Sequence, residues 1–240
     1  MTIRILINGA NGKMGQITAK TIADCADFVL VGTLGRKDNL AHEIKNTKAD
    51  VVIDLTNPDA VLQNIKTVIE SGAHPVIGTS GLPNEQIQLL QKRCAELKLG
   101  GIIAPNFSIG AILMMKHAQD IAKYFSQVEI IEMHHDKKLD SPSGTALRTA
   151  EMISAVRSFV PTSLKNVRET VPGARGASYQ QIPIHSIRLP GLVAHQEIIF
   201  GGTGETLTLR HDSTDRECFM PGIILSCKKV MELKELVYGL

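Results

Sequence analysis

The residues best suited to chemistry lie in one short stretch of the chain, 129–145. The apolar residues Val128, Ile130 and Ile131 predict a strand that ends at Glu132. Four cationic or titratable residues follow directly: His134, His135, Lys137 and Lys138. Ser141-Pro142 and Ser143-Gly144-Thr145 then lead into a helical pattern, and a serine cap with proline at the first helical position predicts a helix start. Because a helix N-terminus attracts anions and small residues admit a ligand, we predict a catalytic site that binds a carboxylate.

A simpler interpretation of this stretch is available. A histidine near a strand end is more often a core or surface residue than a catalyst. Two adjacent histidines, a lysine three or four positions later and a capped helix start within a dozen residues favour the catalytic interpretation.

A glycine-rich turn follows the first apolar strand of the chain. Gly9, Gly12 and Gly15 precede a predicted helix over 16–26. A strand, a glycine turn and a helix in this order place a pyrophosphate at the helix N-terminus. The spacing is GxxGxxG rather than GxGxxG, so a merely flexible turn is the alternative.

In folds of this type, residues at the end of the second strand contact the ribose of the cofactor. The second strand is predicted here over 28–33. An acidic residue there favours NAD, and a basic one accommodates the 2′-phosphate of NADP. Arg36 and Lys37 stand at this point, with Asp38 next to them. Arginine suits a phosphate, so NADPH is favoured; a solvated charged turn is the alternative.

Strands and helices alternate through the first half of the chain. Strands are predicted over 49–55, 74–77 and 101–103, and helices over 59–71 and 84–97. This alternation predicts a doubly wound parallel sheet, with ligands at the carboxyl ends of its strands. The loops 78–81 and 104–108 would then lie on the nicotinamide side, although they could be simple turns.

The pattern changes in the second half. A helix is predicted over 109–125, then the histidine strand with a helix to about Phe159. A long polar loop follows this helix and runs through Arg168 to Tyr179. Three strands follow, over 182–187, 194–200 and 205–212, with a turn at 201–204, and a last helix over 216–231 could return to the first domain. We predict an α/β protein with a Rossmann-like doubly wound sheet and a second, α+β domain with a mainly antiparallel or mixed sheet. The predicted boundaries are 1–106 with 217–240 for dinucleotide binding, and 107–216 for substrate binding and tetramerisation.

Composition excludes several classes of protein. The 240 residues carry a formal net charge of +2 without a basic block, so no nucleic-acid or membrane partner is expected. No apolar segment reaches the roughly 18 residues of a membrane span, and no signal-peptide pattern occurs, so a soluble cytoplasmic protein is expected. Four scattered cysteines, of which Cys25 and Cys94 fall in helical patterns, predict buried reduced thiols and no metal site.

Several motifs resemble one family. The stretch from His134 to Ala146 resembles the HHxxKxDxPSGTA signature of the dihydrodipicolinate (4-hydroxy-tetrahydrodipicolinate) reductases of lysine and diaminopimelate synthesis. The glycine turn is similar to that family's GAxGRMG loop, with Lys13 for arginine. The runs at 78–81, 104–108 and 186–195 resemble its GTTG, AxNFS and SxR…H motifs. The resemblance covers essentially the whole chain.

The resemblance implies a reaction and roles for individual residues. A nicotinamide would donate a hydride to a cyclic dicarboxylate, with His134 as proton donor and Lys138 as the second catalytic group. His135, Gly144 and Thr145 would bind substrate carboxylates, with Ser143 supporting the turn. The implied cofactor-binding residues are Gly9, Ala10, Asn11, Gly12, Lys13, Met14, Arg36, Gly78, Thr79, Ser80, Ala104, Pro105, Asn106 and Phe107.

The resemblance also implies a homotetramer, and one departure bears on the cofactor. The family often has an acidic residue beside the arginine after the second strand and uses both NADH and NADPH. Here Gly35 takes the acidic position and Arg36 is kept, which favours NADPH over NADH.

Two alternative functions remain open. The first is another two-domain amino-acid dehydrogenase, and the histidine pair with PSGT argues against it. The second is a dinucleotide-sensing regulator, for which no DNA-reading basic helix is evident.

Overall fold

The computed structural model describes residues 2–79, 81–157 and 168–240. The chain forms two compact units, Met1–Ile109 with Arg216–Leu240, and Gly110–Asp215. The α-helices of the described residues are α1 (Lys13–Ala23), α2 (Leu40–Thr47), α3 (Pro58–Glu70), α4 (Asn84–Leu97), α5 (Ile109–Ile121), α6 (Gly144–Ser154) and α7 (Met220–Lys229). The strands are β1 (Ile3–Asn8), β2 (Phe28–Leu34), β3 (Val51–Asp54), β4 (His74–Ile77), β5 (Gly101–Ile103), β6 (Gln127–His134), β7 (Ala177–Tyr179), β8 (Ile182–Arg188), β9 (Ala194–Gly202), β10 (Glu205–Ser213) and β11 (Leu236–Tyr238).

The first unit is built on a six-stranded sheet in the order β11-β5-β4-β3-β1-β2, in which all neighbouring strands are parallel. Every residue of β3 is buried, as expected of a strand covered by helices on both faces. Helix α7 packs Ile223 and Cys227 into the same core as Ile5 and Val76. The predicted Rossmann-like sheet is confirmed, and so is the return of the last helix to this unit.

Some elements of the first unit differ from the prediction. Helix α1 begins at Lys13, three residues earlier than predicted, because Gly12 is its N-cap. Helix α2 was not predicted; its eight residues are too few for a clear apolar period, and the Asn39 side chain caps it by accepting from His42 N. Strand β11 was also missed. Residues 216–219 form a 3₁₀ turn, so α7 starts at Met220.

The second unit contains a five-stranded mixed sheet in the order β10-β9-β6-β8-β7. Strands β6 and β8 are parallel and the other neighbours are antiparallel, which confirms the predicted mixed sheet. Val128, Ile130, Ile198 and Phe200 point to one face and pack in a core with residues of α5 and α6. This face positions the residues singled out in the sequence.

The ends of several elements in the second unit also differ from the prediction. Strand β6 continues to His134 instead of ending at Glu132. Ser143, not Ser141, caps α6, so Pro142 precedes the helix; the helix ends at Ser154, and the prediction to Phe159 runs outside the described residues. The predicted loop before β8 contains strand β7, and β9 continues through Gly202 into the predicted turn.

Two further expectations concern the cysteines and the membrane. None of the four cysteines forms a disulfide, but only Cys94 and Cys227 are buried, and Cys25 follows α1 rather than lying within it. Cys25 and Cys218 are half-buried. Among the helices of the described ranges, none has both the length and the apolar character that a bilayer span requires.

Candidate active site

The glycine turn between β1 and α1 combines two tightly packed glycines with an open one. Gly9 has a φ of +88°, and a Cβ there would lie 2.6 Å from the carbonyl oxygen of Leu55. A Cβ at Gly15 would lie 2.3 Å from the oxygen of Gly9. At Gly12 the nearest such atom is 3.5 Å away, which is an ordinary contact. The outer glycines therefore fold the turn, and the middle one leaves its outer surface open beside the free N–H groups of the helix start.

A buried carboxylate lies at the end of β3, in the middle of this sheet. Asp54 is 0% exposed and accepts hydrogen bonds from Asn8 Nδ2 at 2.9 Å and Asn64 Nδ2 at 2.8 Å. It also accepts from the backbone N (3.1 Å) and hydroxyl (2.7 Å) of Thr56 and from the hydroxyl of Thr79 at 3.2 Å. Asp54 thus ties the loops after β3 and β4 to strand β1.

The loops after β4 and β5 are packed against each other. A Cβ at Gly78 would lie 2.7 Å from the Phe107 ring, so only glycine admits the ring there. The backbone N of Ala104 donates to the oxygen of Ile77 at 2.8 Å, and the side chain of Asn106 accepts from Ser108 N at 2.8 Å. Thr79 is buried, and Pro105 is exposed. Ser80, also predicted to bind the cofactor, lies outside the described residues.

The loop after β2 begins beside the glycine turn, because Gly9 N and Ala10 N both donate to Leu34 O at 3.0 Å. Gly35 N donates to the Asp38 carboxylate at 2.7 Å, which engages the only acidic residue of this loop. A Cβ at position 35 would lie 2.5 Å from Asn11 Nδ2. Arg36 is exposed and forms no ion pair with any residue that the structure describes.

Three other predicted cofactor residues lie in the same turn. Asn11 and Lys13 are exposed, and Met14 is half-buried and packs on the core of the first unit. The structure thus groups the predicted residues of the first unit in four loops, which follow β1, β2, β4 and β5. In a parallel sheet these loops leave the same edge.

In the second unit, the central feature is the pair formed by His134 and Glu132 on β6. Alternate residues of β6 face the core, so Val128, Ile130, Glu132 and His134 share one face. Glu132 is 0% exposed, and His134 Nδ1 lies 2.5 Å from its Oε2. No partner of His134 Nε2 occurs in the part of the chain that the structure describes. One ring nitrogen is held, and the other is available.

Arg188 completes the charge balance at Glu132. Its Nη2 donates to Glu132 Oε1 at 2.7 Å and its Nη1 to Oε2 at 3.0 Å. It also donates to the backbone oxygen of Asp140 at 2.7 Å, which fastens the loop after β6. Burial would raise the pKa of Glu132, but hydrogen bonds from His134, Arg188 and Ser186 outweigh it and lower the pKa to about 2. Glu132 is therefore ionised.

The start of helix α6 lies against the same carboxylate. Ser143 N donates to Glu132 Oε1 at 3.2 Å, and the Ser143 hydroxyl accepts from Ala146 N at 3.2 Å. Gly144 is exposed, and a Cβ there would meet no atom within 4 Å. Thr145 O accepts from the Thr149 hydroxyl at 2.7 Å. The first turn of the helix is thus held on its inner side by Glu132, and Gly144 leaves its outer side exposed.

Lys138 is held by a neighbouring carboxylate. Its Nζ donates to both oxygens of Asp140 at 2.7 Å, and the hydrogen bond from Lys138 is the main cause that lowers the pKa of Asp140. The loop is closed by Lys138 N donating to the oxygen of half-buried His135 at 3.1 Å. Lys137 is exposed.

His195, which belongs to the SxR…H motif, has a different environment. Its Nδ1 lies 2.7 Å from Asp212 Oδ1, and its Nε2 accepts from Val193 N at 3.3 Å. Both ring nitrogens are engaged, so this histidine holds the start of β9 to β10. No group of three or more metal-ligating side chains occurs among the described residues.

Three residues of these sites were missed or given no role in the sequence analysis: Asp54, Glu132 and Arg188. Asp54 had a signal, since it is an acidic residue that directly follows the apolar residues Val51, Val52 and Ile53. Glu132 also had one, since it continues the alternation of Val128 and Ile130. Arg188 lies in the SxR motif, but its partner is far along the chain.

Taken together, a Rossmann-like unit with an open glycine turn and a second unit with a carboxylate-held histidine define a pyridine-nucleotide-dependent oxidoreductase. The model of the dihydrodipicolinate reductase N-terminus matches residues 3–107, and that of the C-terminus matches 110–240. The chain belongs to the dihydrodipicolinate reductase family, as its motifs predicted.

Curated relatives are similar over nearly their whole length. The 4-hydroxy-tetrahydrodipicolinate reductases of Coxiella burnetii (strain RSA 493 / Nine Mile phase I) and Legionella pneumophila (strain Paris) are each 56% identical over 240 residues, which is 100% of this chain and 98% of theirs. A solved structure of dipicolinate-bound dihydrodipicolinate reductase from Paenisporosarcina sp. TG-14 is 49% identical, with a TM-score of 0.94, and the match covers 100% of this chain and 98% of that one. An apo scyllo-inositol dehydrogenase from Lactobacillus casei shares the fold alone, with a TM-score of 0.63 at 13% identity, over 96% of this chain and 88% of that one.

Proposed function

We propose that this chain reduces 4-hydroxy-tetrahydrodipicolinate to tetrahydrodipicolinate in lysine and diaminopimelate biosynthesis, with a reduced nicotinamide cofactor as electron donor. The observation that carries the proposal is the His134 ring, held at Nδ1 by a buried carboxylate beside an open helix N-terminus. The reaction consumes one hydride and one proton, and the substrate hydroxyl leaves as water.

The first unit is proposed to hold the cofactor, which supplies the hydride when bound. The fit rests on the open surface at Gly12 and on the free N–H groups at the start of α1, where a pyrophosphate is well accommodated. Lys13 is exposed and can add a positive charge there. The buried Thr79 and Phe107 are on the loops proposed for the nicotinamide side, which Asp54 and Gly78 keep in place.

NADPH is the proposed preferred cofactor, with NADH as the second. Arg36 is exposed and unpaired within the described residues, so its guanidinium is available for a 2′-phosphate. Asp38 accepts from Gly35 N, so its carboxylate is engaged by the loop itself and is less available to a ribose hydroxyl.

The second unit is proposed to bind the cyclic dicarboxylate. The relative from Paenisporosarcina sp. TG-14 binds dipicolinate, and the same chemistry fits the turn at exposed Gly144 and half-buried Thr145. Its N–H groups can bind one carboxylate. His135, which is half-buried on the loop before the helix, is proposed as a further substrate contact, and Ser143 supports the turn.

The proton is proposed to come from His134 Nε2. Imidazole changes charge near neutral pH, and this nitrogen is the one left available by Glu132. Lys138 is proposed to stabilise negative charge that develops on the substrate, after exchanging its contact with Asp140 for one with the ligand.

A homotetramer is proposed from the family resemblance, with the mixed sheet as its contact. Half-buried Ile131, Met133 and Ile199 lie on the face opposite to the core of this unit. Apolar side chains on such a face are suited to a subunit contact. A cytoplasmic location follows from the proposed biosynthetic role.

The test compares the wild-type chain with His134→Gln. Oxidation of NADPH is followed optically while the preceding synthase makes the substrate from pyruvate and aspartate semialdehyde, and cofactor affinity is measured separately. We expect His134→Gln to lower kcat by roughly 10²- to 10⁴-fold, the contribution of a positioned acid, with cofactor affinity unchanged. The control is His42→Gln, an exposed histidine on α2, which should behave as wild type.

Two outcomes would contradict the proposal. Full activity in His134→Gln would remove that residue from the mechanism. Cofactor binding by the wild type without any substrate-dependent oxidation would favour a dinucleotide-sensing regulator, and turnover of an open-chain amino acid instead would favour another two-domain dehydrogenase.

A further inference from the structure

We propose that Glu132 is a positioning residue that holds His134 by Nδ1, directs Nε2 to the substrate and fixes the ring relative to the anion-binding start of α6. The inference rests on the proposed function, because it assigns the group that makes His134 an effective acid. It adds a residue to which the sequence motifs gave no role.

The contacts of Glu132 come from three separate parts of the second unit. His134 on β6 lies 2.5 Å from Oε2, Arg188 on β8 donates to both oxygens, and Ser143 N donates to Oε1 at 3.2 Å from the cap of α6. One side chain therefore fixes the acid, the neighbouring strand and the substrate turn together. A carboxylate with this many donors has no freedom to rotate.

The charge of Glu132 determines which nitrogen of His134 carries hydrogen. Its pKa is about 2, so at neutral pH it is a carboxylate and can only accept hydrogen bonds. Nδ1 must then donate in both charge states of the ring, and only Nε2 gains or loses a proton. A tautomer fixed in this way presents the reactive nitrogen without a preceding ring flip.

Arg188 offsets the free-energy cost of burying the charge of Glu132. A lone buried carboxylate would be strongly disfavoured, and a bidentate guanidinium compensates its charge. Since Arg188 also donates to Ile187 O and Asp140 O, it is committed to the structure. The remaining hydrogen-bonding capacity of Glu132 goes to His134, Ser143 and Ser186.

Other charged groups near His134 do not replace this contact. On the loop after β6, Lys138 and Asp140 pair with each other, and His135 is half-buried. On β9, the neighbouring His195 is paired with Asp212. On β8, Arg188 is positively charged and donates to Glu132. Glu132 is thus the carboxylate bonded to the His134 ring among the described residues.

The test is the pH dependence of kcat in Glu132→Gln, which keeps the shape and removes the charge. We expect kcat to fall by roughly 10- to 100-fold, as when the partner of a functional histidine is removed. The midpoint of the pH profile of kcat should move, because the amide of Gln can also donate to Nδ1 and no longer fixes the tautomer of the ring. The rise in KM should be smaller than the fall in kcat.

A matched control exists on the same strand. Glu129 on β6 also pairs with a histidine and an arginine, His185 and Arg175, but on the opposite face and with 34% of its side chain exposed. Glu129→Gln should keep the wild-type pH profile. A shift in its profile equal to that of Glu132→Gln would overturn the inference.

A double-mutant comparison separates positioning from general damage. In a His134→Gln background, Glu132→Gln should lower kcat by less than about two-fold further, because residues that act as a unit are not additive. Equal losses in both backgrounds would overturn the inference. If Glu132→Gln does not fold, Glu132→Asp keeps the charge, and its profile should retain the wild-type midpoint at a lower kcat; a shifted midpoint there would also overturn it.

These results are distinguishable from failure of the proposed function. Turnover by the wild type with an unchanged pH profile in Glu132→Gln would overturn the inference alone. Absence of substrate-dependent turnover in the wild type would overturn the proposed function, and the inference with it.

Discussion

Asp54 in the first unit and Glu132 in the second are both fully buried carboxylates on the central region of a sheet, yet their partners differ in kind. Asp54 accepts from neutral groups, the amides of Asn8 and Asn64 and the hydroxyls and backbone of threonines. Glu132 accepts from a guanidinium and an imidazole. A buried carboxylate therefore has neutral partners in the first unit, and a guanidinium and an imidazole as partners in the second.

The difference follows from what each unit is proposed to do. Neutral donors around Asp54 fix loops without adding a proton that could move, which suits a surface that only has to hold a cofactor. The donors around Glu132 include the guanidinium of Arg188 and the imidazole of His134, a group able to hold or release a proton. The buried carboxylate of the first unit thus fixes the shape of loops, and that of the second fixes an ionisable side chain. Four measurements test this contrast, from the largest expected effect to the smallest.

Acid should destabilise the second unit through Glu132. Its folded pKa of about 2 lies below its ordinary value of 4.5, so its stabilising contribution is complete above about 4.5 and is lost as the pH falls towards 2. The integrated effect is roughly 3 kcal/mol. Denaturant unfolding at pH 7 and pH 3 checks this: the advantage of wild type over Glu132→Gln should shrink at pH 3. An advantage that stays constant would show that Glu132 holds no such charge.

Arg36→Ala should affect the two cofactors differently. Loss of a charged hydrogen bond to the 2′-phosphate costs about 1.5 to 3 kcal/mol, or roughly 10- to 150-fold in the KM for NADPH. The KM for NADH should change little, because NADH lacks that phosphate. Lys37→Ala, at the neighbouring exposed cation, is the matched control and should have a smaller effect. Equal increases for both cofactors would refute the phosphate contact.

Gly12→Ala and Gly144→Ala should separate the two sites. Neither added methyl group meets a protein atom closer than 3.5 Å, so both variants should unfold at the wild-type temperature. A clash with a ligand of about 1 to 3 kcal/mol would raise KM by roughly 5- to 150-fold, for the cofactor at Gly12 and for the substrate at Gly144. Steady-state kinetics and thermal unfolding measure both effects. The contrast between the units would fail if each variant raised both KM values.

Asp140→Asn should have the smallest effect. Asp140 pairs with Lys138 at a site that is 65% exposed on the aspartate side, and such pairs contribute up to about 1 kcal/mol, or about five-fold in an equilibrium. Because the substrate competes with Asp140 for Lys138, the KM for substrate should fall by less than about five-fold. A large loss of kcat instead would mean that Asp140 takes part in the reaction itself.

The fold was largely predictable from the sequence, because strands buried on both faces are continuous apolar runs. The run that became β3 and the glycine turn after β1 led directly to a parallel sheet with a ligand at its edge. Helix α2 was not predicted, because its eight residues show little apolar periodicity. The ends of elements were less predictable, since β6 reaches His134 through pairing with Arg188 and Ala194, far along the chain.

The candidate site was predictable as a set of residues but not as a network. His134, Lys138 and the turn at Gly144 stand out by type and spacing, and the motif resemblance adds their roles. The partner of each side chain depends on which strand lies beside it. Glu132 could be placed on the core face from its alternation with Ile130, but nothing local indicated that Arg188 and Ser143 would share its carboxylate.

The most direct test of the proposed reaction follows isotopes into the product. The wild-type chain would reduce its substrate with NADPH deuterated at the transferable C4 position in ordinary water, and with unlabelled NADPH in deuterated water, with mass spectrometry of the tetrahydrodipicolinate. We expect one deuterium from the cofactor in the first product and at least one from solvent, but none from the cofactor, in the second. Product without deuterium from the labelled NADPH, or no product at all, would contradict a direct hydride transfer by this chain.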